Sequence, residues 1–131
     1  MDKVEILRSL KKLQEVVESY TEVTKFDFGD GKGFVPAHKH PNGGGWVAET
    51  AYVAETAYVD PSAQVFGNAA VFGYAKVYGD AAVFGNAKVY GNALVSGNAR
   101  VYGDAKVYGD TAVYGTARVS GTAWVSCGTF T

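Results

Sequence analysis

From Val47 to Val125 a valine stands at every sixth position, fourteen times without a gap. Two residues before each valine from Val53 onward sits alanine, with Thr111 the single departure. Two residues after it, from Gly67 to Gly121, sits glycine ten times running. The next position is mostly Asn or Asp: Asn68, Asp80, Asn86, Asn92, Asn98, Asp104 and Asp110. The repeat therefore reads A-x-V-[FYS]-G-[ND]. Residues two apart on a strand share a face, so Ala and Val point inward while the residues between and after them point outward. Glycine followed by Asn or Asp accepts the backbone conformations of a tight corner, which predicts a change of direction every six residues. Three short strands and three corners make a coil of eighteen residues. Successive coils pair as parallel strands about 4.8 Å apart, closing a triangular prism of about four to five coils.

The stretch GNAKVYGNALVSGNARVYGDAKVYGD carries this period most clearly. It resembles the hexapeptide-repeat family, and the resemblance covers residues 46–126. It implies an all-β fold, a left-handed parallel β-helix, here preceded by an N-terminal α-helix. The family includes acyltransferases, γ-class carbonic anhydrases and purely structural or binding members. Glycine falls two residues after the aliphatic position in this chain, rather than one after as is common in the acyltransferases. Those acyltransferases use a histidine to deprotonate the acceptor, and the carbonic anhydrases hold zinc through histidines within the coils. No histidine follows His40. The expectation is a member that is not an enzyme and carries no cofactor. The string VPAHKHPNGGGWVAETAYV is similar to the leading segments of hexapeptide-repeat proteins of bacterial and phage genomes, which implies a cytoplasmic location, or the virion for a phage-encoded chain.

Residues 1–23 follow another period. Ile6, Leu10, Leu13, Val17 and Tyr20 are spaced 4, 3, 4 and 3 apart, with Lys and Glu on the remaining faces, the signature of an amphipathic helix with a heptad seam. Asp2 with Glu5 three residues on resembles a capping box and starts that helix at Lys3. Two roles are open to it: a short trimeric coiled coil, or a cap over an open end of the coil stack, which would otherwise present unpaired backbone. Residues 24–45 form a glycine-rich connector. Phe26 and Phe28 alternate with Asp27, which suits a brief strand. Gly29-Asp30-Gly31-Lys32-Gly33 is either a phosphate nest with Lys32 as charge partner or a plain turn. His38 and His40 are the only histidines. Extended backbone points both to one side, so they are candidate metal ligands, with solvated loop histidines as the alternative. Residues 46–131 are the β-helix.

Composition turns attention to the surface. The 131 residues carry a formal net charge of -1, which disfavours bulk attraction to nucleic acid or membrane, and no apolar run approaches the roughly 18 residues of a membrane span. A charged, helix-patterned N-terminus argues against a secretory signal. The lone Cys127 excludes an intramolecular disulfide. Leu and Ile together number five, against 17 Gly and 9 Tyr, so valine and alanine build the core and tyrosine the outside. Positions eighteen apart stack into columns. One face carries Phe66, Phe84 and Tyr102 beside Arg100 and Arg118; a second carries Phe72, Tyr90 and Tyr108 beside Lys88 and Lys106; the third carries Asp60, Tyr78, Ser96 and Tyr114. Aromatic ladders left in water predict covered faces; the resemblance implies their burial between three identical prisms, hence a homotrimer acting as a structural or assembly protein, with a dimer or an end-to-end polymer as the other way to cover them. The alternative is a binding protein that holds a small nucleotide-like anion at subunit interfaces. Tyr90, Tyr102 and Tyr108 would stack on its ring, and Lys88, Arg100, Lys106 and Arg118 would neutralise its phosphate.

Overall fold

Two-residue strands at six-residue intervals leave the chain no room to pair with its immediate neighbour in sequence, so each strand pairs with the one a full coil away. The computed structural model describes residues 24–131; the helix expected over 1–23 lies outside the described residues. Strands β1 (Lys25–Asp27), β2 (Phe34–Lys39) and β3 (Trp46–Ala48) come first. Then follow β4 (Tyr52–Val53), β5 (Tyr58–Val59), β6 (Gln64–Val65), β7 (Ala70–Val71), β8 (Lys76–Val77), β9 (Ala82–Val83) and β10 (Lys88–Val89). The last seven are β11 (Leu94–Val95), β12 (Arg100–Val101), β13 (Lys106–Val107), β14 (Ala112–Val113), β15 (Arg118–Val119), β16 (Trp124–Val125) and β17 (Thr129–Phe130). They assemble into three sheets, ordered β1-β2-β3-β6-β9-β12-β15, β4-β7-β10-β13-β16 and β5-β8-β11-β14-β17. The result is an all-β parallel solenoid of about five turns, in agreement with the sequence pattern.

Valine stacks on valine from coil to coil: Val53, Val71, Val89, Val107 and Val125 pair in sequence down the second sheet. The valines from Val59 to Val113 and the alanines from Ala57 to Ala105 are buried in one continuous core. Alanine at the corner and valine in mid-strand are the sizes that three converging walls admit. Between the walls, the backbone is satisfied coil to coil. Tyr90 N–H donates to the Val107 carbonyl at 2.9 Å and Asn86 N–H to that of Gly103 at 2.8 Å, the latter at a corner rather than in a strand. The corner side chains form ladders of their own, Asn68 donating to Asn86 at 3.4 Å and Asn86 to Asp104 at 3.2 Å.

The connector is more ordered than its glycine content implies. Expected to hold one brief strand, residues 25–39 form an antiparallel hairpin of β1 and β2, and β2 pairs antiparallel with β3. The edge of β3 would otherwise expose a row of amides and carbonyls, and the hairpin covers it. Beyond β2 the chain folds over β5, with Gly45 N–H donating to the Val59 carbonyl and Val59 N–H to that of Asn42. At the other end the last turn is one residue short: Ala112 pairs with Thr129 and Val113 with Phe130. Thr111, the one break in the alanine series, sits above this shortened turn. Its buried hydroxyl donates to the Tyr108 carbonyl at 2.7 Å and reaches the Val125 carbonyl at 3.3 Å.

The corners give a test with an internal control. Gly85 has φ +69°, and a Cβ there would stand 2.9 Å from the Gly103 nitrogen; Gly121 has φ +66° with open space around it. Gly121→Ala is expected to cost only the left-handed strain, about 1 kcal/mol, and Gly85→Ala at least about 2 kcal/mol because backbone must also move. Urea midpoints of the two variants measure the difference, and equal losses would show that the inter-coil contact is not limiting. Thr111→Val keeps the shape and removes the hydroxyl. It is expected to lower stability by about 1 kcal/mol in the same assay; an unchanged midpoint would mean that the hydroxyl's two contacts contribute nothing.

Candidate ligand and association surface

The same stacking that aligns the valines aligns what lies outside them. On the first face Phe28, Phe66, Phe84 and Tyr102 form one ladder, with ring centroids 4.9, 4.8 and 5.0 Å apart. On the second face Phe72, Tyr90 and Tyr108 do the same at 4.7 and 5.1 Å. Their planes within the repeat are tilted by 6° or less, because each ring is carried by a backbone that repeats itself one strand spacing further on. Stacking buries most of each ring face, so the ladder residues of the repeat are half-buried rather than fully exposed, and Phe28 and Phe66 are buried.

The seven residues singled out as ligand-binding fall into two groups on different faces. Arg100 pairs with Arg118 in register, beside Tyr102 on the first face. Lys88 pairs with Lys106, beside Tyr90 and Tyr108 on the second. The two groups differ in how their charges are met. Lys106 Nζ lies 4.4 Å from the centroid of the Trp124 ring, a cation–π contact. Arg100 and Arg118 have no carboxylate within ion-pair distance among the described residues, where the single ion pair is His38 with Glu49.

His38 and His40, expected to point the same way, do not. His38 stays exposed and its Nδ1 is 2.6 Å from Glu49 Oε1. His40, 3% exposed, turns inward, and its Nε2 is 2.8 Å from the Ala57 carbonyl. β2 ends at Lys39, so the strand alternation that would align the two rings is lost between them. His40 and Asn42, which donates to the same carbonyl at 3.1 Å, anchor the loop over β5. In the glycine-rich loop two of the amides that a phosphate nest would use are already engaged. Gly29 N–H donates to Asp27 Oδ1 and Lys32 N–H to Asp30 Oδ1, so its own carboxylates occupy those donors.

The concave ground lies where the hairpin's loop overhangs the first face. A cleft of about 450 Å³ runs between Gly29 and Asp30 above and Arg100 below, with Phe66, Ala82 and Phe84 behind and Gln64 and Asp80 to the side. A smaller one of about 200 Å³ lies between Phe28, Val35 and Phe66. Of the residues expected to bind ligand, only Arg100 lines the larger cleft. Phe28 was recognisable as part of an alternating pair, but nothing local to it says that it caps the Phe66 ladder. On the third face Tyr58 donates to Asp60 Oδ1 at 3.0 Å, and Asp60 Oδ2 accepts from Gly79 N–H. That hydrogen bond, then partial burial and the carboxylate's charge, hold the Tyr58 phenol above its ordinary range.

Comparison with known proteins bears on the repeat alone. No curated protein and no solved structure matches the chain. Residues 87–103 and 95–109 match a family model described as YdcK Beta solenoid repeat; over these coils the chain is similar to that repeat, and the stacked sheets are those of a β-solenoid.

Proposed function

We propose that this chain is a non-catalytic protein of the hexapeptide-repeat type, a structural and assembly unit that forms a homotrimer through its second face. One observation carries the reading. The chain covers the upper end of its first face with its own hairpin, Phe26 stacking on Trp46 and Phe28 on Phe66, whereas among the described residues nothing covers the second face. There Tyr52 is 60% exposed, Tyr74 at the adjoining corner 68% and Trp124 66%, framing the Phe72–Tyr90–Tyr108 ladder. A contiguous aromatic surface of this kind on a water-soluble protein is the signature of a contact.

The charges on that face favour a ring over a pair. A two-fold contact centred on the ladder would bring Lys88 and Lys106 close to the same two lysines of the other copy, a like-charge juxtaposition. A heterologous contact brings a different surface to them and closes after three prisms. The non-catalytic part of the reading rests on the absence of histidine from the whole repeat and on the separate partners held by His38 and His40.

Native mass spectrometry tests it. The expected mass is that of three chains of 13.8 kDa each. The double variant Tyr52→Glu, Tyr74→Glu is expected to run as one chain, because both residues lie on the contact and neither is part of the core. Phe34→Glu, at an exposed aromatic of the hairpin, is expected to leave the assembly intact. A single-chain mass for the unaltered protein at micromolar concentration, or assembly undisturbed by the double substitution, overturns the proposal.

A further inference from the structure

Both ladders lose their next ring one coil further on. Tyr102 stacks beneath Phe84 with planes 3° apart, and the pairing of β12 with β15 aligns Arg100 with Arg118 and Val101 with Val119. The residue under Tyr102 is therefore Ser120. A serine stands where the ladder's repeat calls for a ring, so one face of the Tyr102 phenol has no aromatic neighbour among the described residues. The step left beside Ser120 is one ring spacing deep, about 5 Å, and no further coil closes it on the far side, since β15 ends its sheet.

Arg100 and Arg118 flank this step. Each lies two residues before the ladder position on its own strand, so guanidinium and ring share the outward side. Both arginines are exposed, they are adjacent through strand pairing, and neither meets a carboxylate within ion-pair distance among the described residues. Two neighbouring like charges without a counter-ion form a ready site for a doubly charged oxyanion, which each planar guanidinium can bind with two hydrogen bonds.

The second face supplies the contrast. Tyr108 likewise stands above a serine, Ser126, through the pairing of β13 with β16. Beside it, however, is an indole rather than a second cation, and Lys106 is already drawn over that Trp124 ring. The second step can accept a ring but has no pair of free cations for a phosphate.

We propose that Tyr102, Ser120, Arg100 and Arg118 form a binding site within one chain for a nucleoside monophosphate, a planar aromatic ring joined to a phosphate. The ring stacks on the free face of Tyr102 and continues the ladder, while the phosphate bridges the two guanidiniums. This site does not depend on the assembly proposed above, because all four residues belong to one protomer.

Calorimetric titration of the full chain with adenosine monophosphate tests the site, with adenosine and inorganic phosphate as separate arms. The monophosphate is expected to bind at submillimolar concentration, and each half at least about tenfold more weakly, since stacking and charge pairing are then separated. Arg118→Gln is expected to weaken binding at least about tenfold. Ser120→Phe, which fills the step with a ring and extends the ladder, is expected to abolish binding while the melting temperature holds or rises. Ser126→Phe on the second face is expected to leave binding unchanged. The Tyr52→Glu, Tyr74→Glu variant is expected to bind as the unaltered chain does, which separates this site from the assembly. No binding of the monophosphate at millimolar concentration, phosphate alone binding as tightly, or undiminished binding to the Ser120→Phe variant overturns the proposal.

Discussion

Backbone meets backbone at the glycine corners from Gly67 to Gly103, and the rest of the structure follows from that contact. The Gly85 position leaves 2.9 Å between a would-be Cβ and the Gly103 nitrogen, while Asn86 N–H donates to the Gly103 carbonyl at 2.8 Å. A hydrogen bond and a steric limit thus act at the same point. Together they hold successive coils at one spacing and in one register. Once corners are locked in this way, strand lengths have no freedom, and any side chain must stand directly over its equivalent eighteen residues away. Valine over valine fills the interior, alanine fits where two walls converge, and no larger apolar residue is needed.

The same constraint that orders the core decides the surface. A residue type that repeats becomes a column, whether or not the column is favourable. Repeated Phe and Tyr give parallel stacks with near-zero tilt, and repeated Asn gives amide ladders ending on Asp104 and Asp110. Repeated Arg gives two like charges held side by side. Columns that stabilise the stack and columns that strain it are produced by one rule, so the strained or interrupted ones are where a partner or ligand gains most. Arg100 with Arg118, and the serine beneath Tyr102, are of that second kind.

The solenoid was legible because each inward position has one physical demand, small at the corner and β-branched between corners, and fourteen valines repeat it. The outward columns then followed from counting by eighteen. Features outside the repeat were not legible to the same degree. β2 contains Pro36 and lacks a sustained alternation, so its pairing with β3 arises from the exposed edge it covers rather than from its own pattern. His40 turns inward because the strand has already ended, a boundary that spacing alone does not mark. The short final turn left a trace in sequence, Cys127 where the period calls for glycine and Gly128 one place later, and Thr111 left another. Their meaning is visible only when Ala112 is found opposite Thr129. The candidate site was half legible: Tyr102, Arg100 and Arg118 were named and counting by eighteen put them on one face, but the cation–π partner of Lys106 and the empty place below Tyr102 required the stacked geometry.

The hydrogen bonds that join the coils lie along the axis of the prism, each linking one coil to its neighbour. Mechanically this makes the molecule anisotropic. A pull applied along the axis concentrates on the bonds of a single coil interface, which part in succession like the rungs of an opened zip. A load applied across the axis is divided among all the coils and meets the interlocked valines as well. Such a body is compliant to peeling from an end and stiff to sideways shear, a combination suited to an element that is pressed upon from its flanks.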